Sequence, residues 1–178
     1  MLPEGFLHQL GLGVLTEIYA GAISAPGTHL FVARATARID GFVLGTRNTR
    51  GLFRHILRRR AHRLVPILGG IVARRPGILG RVLESLRYPV RVAPVGSHAD
   101  GELVSLGVAP ELRGLGCGVM LVEALNAAFR RSGVRAYTVS LYEDNDGARS
   151  FYERCGFRPA ARMPMYDRPW AVYRLVLE

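Results

Sequence analysis

Residues 102–142 read ELVSLGVAPELRGLGCGVMLVEALNAAFRRSGVRAYTVSLY, and their order decides the architecture. ELVSLGV (102–108) is a short apolar run bounded by turn residues, which predicts a strand. APELRGLGCG follows as a turn, punctuated by Pro110, Gly114, Gly116 and Gly118. VMLVEALNAAFRRSG has helical length, and Gly133 closes it as a C-cap. That segment is apolar on most sides, which predicts a largely buried helix. VRAYTVSLY (134–142) is a second strand. A strand–helix–strand unit with short loops requires parallel strands and a right-handed crossover.

Upstream, Phe6, Leu7, Leu10, Val14, Leu15 and Ile18 recur at helical spacing, so about 5–22 reads as an amphipathic helix. HLFVARATA (29–37) and GFVLGT (41–46) read as strands, and Asp40–Gly41 supplies hairpin-turn chemistry between them. Leu52, Phe53, Ile56, Leu57 and Leu64 mark a basic amphipathic helix that should break near Pro66. Pro76 suits the opening of another helix over ILGRVLESL, and 88–101 reads as a loop. Downstream, Asn145 to Cys155 forms a short helix ending at Gly156. Residues 157–163 and 170–177 are the last two strands. The expected fold is α/β: one domain, 1–178, with a mixed central sheet flanked by helices and a basic helical insertion at about 48–93.

Composition narrows the function. Of 178 residues, 49% are apolar and 21% charged, an ordinary globular balance. All 24 basic side chains are arginine, against 14 acidic ones, for a net charge of +10. The absence of lysine excludes a Walker A loop, a Schiff-base lysine and a lysine base. Cys117 and Cys155 cannot make a disulfide framework, and with the scattered histidines they form no zinc-binding pattern, so no metal is expected. The run LVPILGGIVA (64–73) is too short to span a bilayer. MLPEGFLHQLG has no basic leader region, so a cytoplasmic location is expected.

The charge is uneven. Residues 1–98 hold 14 arginines against Glu4, Glu17, Asp40 and Glu84, while 99–178 hold ten of each sign. A basic patch attracts nucleic acid, a membrane surface or a phosphorylated ligand. No aromatic residues are interleaved to stack bases, which disfavours nucleic acid. A covering subdomain with solvated arginines explains the same pattern.

The chemistry concentrates between Pro110 and Gly118. Glycines where a strand ends and a helix begins let the backbone take positive φ and approach a ligand. Free amides at the helix start then face an anion, with the helix dipole behind them. A pyrophosphate is the natural guest, although a turn that merely relieves crowding has the same composition. The dinucleotide fingerprint fails, because Val119 stands where its third glycine belongs.

Arg113–Gly114–Leu115–Gly116–Cys117–Gly118 fits the pattern Q/R-x-x-G-x-G/A, just after Val108–Ala109–Pro110. Asn145, Ala148, Phe151, Tyr152, Gly156 and Phe157 fit N-x-x-A-x-x-F-Y-x-x-x-G-F. With both segments at this separation, the chain resembles the GNAT superfamily of acyl-CoA-dependent N-acyltransferases over about 102–157 and onward to the C-terminus. Its first helix and arginine-rich insertion look like a subgroup concerned with surface-sugar amines. Relative to that pattern, the first strand and its acidic turn would precede Met1.

The resemblance implies acetyl transfer from acetyl-CoA to a small amine such as an amino sugar, by direct attack in a ternary complex. Alternatives are a protein N-terminal or side-chain acetyltransferase, and a non-catalytic anion- or RNA-binding module. It also implies a splayed strand on which Leu106, Gly107 and Val108 present backbone groups to pantetheine, and a nearby N–H that polarises the thioester. The amides of Arg113, Gly114, Leu115, Gly116, Cys117, Gly118 and Val119 would hold the pyrophosphate. Arg113 adds charge or is structural, and Cys117 is a small filler. Tyr152 would protonate the leaving thiolate, since a phenol has a pKa of about 10. Asn145 would bond pantetheine, cap its helix, or both. Glu102 is the candidate general base, with a surface glutamate as the competing reading, and Ser105 could hold a water instead. A homodimer is compatible with all of this.

Overall fold

The computed structural model describes residues 10–34, 37–80, 99–165 and 168–177. Along the chain run α1 (Gly11–Ile23), β1 (Thr28–Ala33), β2 (Gly41–Thr46), α2 (Thr49–Arg74), a 3-10 turn (Pro76–Ile78) and β3 (Gly101–Val108). A second 3-10 turn (Pro110–Leu112) leads to α3 (Cys117–Arg131), β4 (Ala136–Tyr142), α4 (Asp146–Arg154), β5 (Arg158–Met165) and β6 (Arg168–Val176). The described strands form one sheet in the order β1-β2-β3-β4-β6-β5. β3 and β4 are parallel and every other neighbouring pair is antiparallel, as the crossover through α3 requires.

Helices cover both faces of the sheet. On one face Leu121, Val122, Leu125 and Phe129 of α3, with Tyr152 of α4, pack against Val43, Leu103, Tyr137, Val139 and Leu141. On the other, Val14 and Ala22 of α1 and Leu52, Ile56 and Leu64 of α2 pack with Leu44. Each large apolar side chain so buried contributes about 1.5–3 kcal/mol. Together these make the mixed, helix-flanked α/β sheet that the sequence predicts.

Several elements depart from their sequence expectation. α2 runs unbroken through Pro66 to Arg74. Proline lacks an N–H and crowds the preceding turn, yet Leu64 is buried and Ile67, Leu68, Ile71 and Val72 continue the packed stripe past it. That packing offsets the lost backbone bond. α3 is buried on one face, not most of the way round: Met120 is 69% exposed and Val119 40%. The hairpin has no tight Asp–Gly turn. Ala33 pairs with Gly41, so Gly41 opens β2 and the connection spans 34–40. Pro76 opens a 3-10 turn. The expected helix start at 5–9, the later part of the helix over ILGRVLESL, the loop at 88–98 and the far end of the insertion lie outside the described residues.

Candidate functional site

The site begins where β3 and β4 part. Their register covers Gly101↔Tyr137, Glu102↔Thr138 and Leu103↔Val139, and then pairing stops. β4 stays paired to β6 along its whole length, and β3 stays paired to β2 as far as Gly41↔Val108. Between the two strands lies a wedge. Its β3 edge carries Leu106, Gly107 and Val108 past the last pair, where the backbone groups facing β4 have no partner on that strand. An extended ligand with amides of its own can complete that edge as an added strand does.

The glycine loop sits at the mouth of the wedge. Gly114 and Gly116 have φ of +80° and +84°, the left-handed region that glycine enters without a Cβ penalty. Gly116 is the N-cap of α3 and provides no side-chain cap. The first amides of the helix, from Cys117, Gly118 and Val119, therefore have no intrahelical partner. Met120 N–H is the first to close a helical bond, to the Gly116 carbonyl at 3.0 Å. Gly118 matters for packing instead, since a Cβ there would stand 3.0 Å from Phe151 of α4. Two glycines shape the cradle and the third lets α4 close against it. Leu115 is 72% exposed beside them, and Cys117 packs partly against the core. Arg113, an exposed residue, donates from Nε to the Val108 carbonyl at 3.2 Å, tying the loop to the end of β3. The residues present fit a diphosphate: oriented amides, a helix N-terminus and one nearby cation.

Tyr152 lies in the core beneath the loop. Its ring meets Phe151 at 5.1 Å and Phe157 at 5.3 Å between centroids. Burial, reinforced by Cys155, raises its pKa above the ordinary phenol value, so it stays protonated. Asn145 caps α4, its Oδ1 accepting from Ala148 N–H at 3.0 Å, so the capping reading is the one this geometry contains.

Glu102 is 3% exposed, not a surface residue. It lies on the opposite face from Tyr152, at the first turn of α2, where Thr49 Oγ1 donates to its Oε2 at 2.5 Å. Glu102 and Tyr152 therefore lie on opposite faces of the sheet, Glu102 one residue before the last β3–β4 pair. Ser105 shares the Glu102 face, and its hydroxyl lies 2.9 Å from the hydroxyl of Tyr19 on α1. Sequence reasoning missed Tyr19 and Thr49 because 86 and 53 residues separate each pair. Among the described residues no group of three His, Cys, Asp or Glu could hold a metal, and no helix is long and apolar enough to cross a membrane.

Residues 16–157 match the model of the acetyltransferase (GNAT) family. The chain is 42% identical over 62 residues to a mycothiol acetyltransferase of Geodermatophilus obscurus, covering 35% of this chain and 20% of that protein. It is 41% identical over 58 residues to a 5-NmdU N-acetyltransferase of Pseudomonas phage PaMx11, covering 33% and 39%. The matched segments thus span well under half the length of these relatives. A Bacillus anthracis structure described as a streptothricin acetyltransferase in complex with acetyl coenzyme A shares the fold, at TM-score 0.58 and 14% identity over 90% of this chain and 68% of that one.

Proposed function

The chain belongs to the GNAT acetyltransferase family, and from this we propose that it transfers an acetyl or other short acyl group from acyl-CoA to a small primary amine, an amino sugar being the first to test. One observation carries this reading: β3 and β4 part after three register pairs, directly beside an uncapped, glycine-shaped helix start. The donor brings an activated thioester carbonyl. Leu106 and Val108 would hold its pantetheine amides through the backbone. The amides from Arg113 to Val119 would hold its diphosphate, with the Arg113 guanidinium adding charge.

The two faces divide the work. Tyr152, kept as a neutral phenol by burial, holds the proton that the departing thiolate needs. Glu102 and Ser105 stand on the other face, from which an amine would approach. A carboxylate there accepts a proton from the incoming ammonium, directly or through one water. A backbone N–H of β3 polarises the carbonyl as charge grows on its oxygen. Direct attack in a ternary complex needs no covalent enzyme intermediate, so Cys117 remains a packing residue.

Calorimetric titration with coenzyme A and acetyl-CoA, followed by a panel of amines scored by thiol release, tests this. Acetyl-CoA should bind and at least one amine should turn over. Well-folded protein that binds neither form of coenzyme A overturns the reading. Turnover of peptides but not of small amines would move the acceptor to a protein N-terminus or side chain.

A further inference from the structure

We propose that Ser105 and Tyr19 form the seat of the acceptor nitrogen, with Ser105 as the residue that touches it and Tyr19 as a positioning residue. This rests on the acyl-transfer reading above and assigns the nitrogen to one place within it.

The assignment starts from the register of β3. Leu44 of β2 stands opposite Ser105, but its neighbour Gly45 stands opposite Leu103. Val104 is therefore the extra residue of a β-bulge, and a bulge re-aims the side chains around it. Leu103 packs with the α3 cluster, while Val104 packs with the cluster of α1 and α2. Ser105 points to that second face as well, because its hydroxyl meets Tyr19 of α1. Without the bulge, strict alternation would turn Ser105 toward α3. The bulge thus turns a hydroxyl to the α1 side of the sheet, two residues past the last β3–β4 pair.

Tyr19 is held for this contact. Its ring stands edge-on to Phe42 with centroids 5.4 Å apart, and its hydroxyl reaches Ser105 Oγ at 2.9 Å. Burial raises its pKa more than the Ser105 contact lowers it, so the group is a neutral phenol at any ordinary pH. A neutral phenol in that position can donate to Ser105 Oγ or accept from it, and in either direction the bond fixes the serine rotamer. A hydroxyl oxygen has two acceptor sites. Tyr19 fills at most one of them, so the other can take an N–H of an incoming amine. The nitrogen keeps its lone pair free for the carbonyl. On the same face, Glu102 lies three residues back along β3, within about 10 Å of chain.

The test uses two coenzyme A conjugates, so that the natural acceptor need not be known. S-(N-methylcarbamoylmethyl)-coenzyme A carries an N–H where the acceptor nitrogen would lie; S-(2-oxobutyl)-coenzyme A carries a methylene there. Wild-type protein should bind the amide about fivefold more tightly than the ketone, the size of one hydrogen bond. Ser105→Ala should abolish that preference and leave ketone affinity within twofold. Tyr19→Phe should reduce the preference to about twofold at an unchanged melting temperature, and Ser105→Thr should restore most of it. A preference that survives in Ser105→Ala, or is missing in wild type while both conjugates bind, overturns the proposal and leaves the Tyr19–Ser105 bond as a tie between α1 and the sheet. Failure of both conjugates and of coenzyme A to bind overturns the acyl-transfer reading, and this proposal with it.

Discussion

The two faces of the sheet follow different rules. Under α3 and α4 the buried side chains among the described residues form an apolar cluster that includes tyrosine hydroxyls, of which Tyr137 is bonded to Asn126 at 2.6 Å. Under α1 and α2 the sheet carries a buried polar row: Thr46 stands opposite Glu102, and Glu102 opposite Thr138, each 3% exposed or less. Buried polar groups cost stability unless they are paired. An apolar face suits a rigid platform for a cofactor held through backbone amides. A polar face is maintained where side chains have chemistry to perform. On the proposed reading, donor and acceptor would be recognised by different means, backbone on one side and side chains on the other.

The strongest challenge to this division is Tyr152→Phe. Loss of the phenol proton should lower kcat by about 100-fold, while calorimetry finds coenzyme A affinity within twofold of wild type. An equal loss in both would make Tyr152 a packing residue of the platform. Next comes Gly45→Ala, which tests how rigid the platform is. A Cβ at Gly45 would lie 2.6 Å from Leu125 and 2.8 Å from Phe129. Such overpacking should cost about 2 kcal/mol in a denaturant titration, with residual coenzyme A binding retained in the folded fraction.

Gly116→Val probes the backbone side at the loop. A β-branched residue at φ +84° is strained, and coenzyme A affinity should fall about tenfold. Gly118→Ala should act through Phe151 and lower the melting temperature instead. If the two variants behave alike, the glycines serve crowding and not an anion.

The smallest effect concerns His29, at the edge of the α3 face. Burial first, then Arg131 and Arg47, lower its pKa from the ordinary value, and Ser132 bonds its ring at 3.0 Å. The unfolded chain therefore takes up its proton at a higher pH than the folded one. Stability should decline as pH falls below about 6.5 and level off once the folded histidine protonates. Denaturation midpoints at pH 7.5 and 5.5 should differ less in His29→Gln than in wild type.

Much of the proposed donor side was legible in the chain itself. The glycine run after Pro110, the crossover from β3 through α3 to β4, and the Asn145 cap all depend on φ preferences, periodicity and capping over a few residues. The proposed acceptor side was not. Glu102 looked as much like a surface residue as a base until α2 placed Thr49 over it. Pro66 marked a break that distant packing overrode. Local sequence was enough to specify most of the elements and the glycine-shaped backbone after Pro110, because those interactions lie within one turn of the residues that make them. Long-range packing settled where the strands part, where the bulge turns Ser105, and which helix meets it, because each outcome depends on groups far apart in the chain competing for the same side of the sheet.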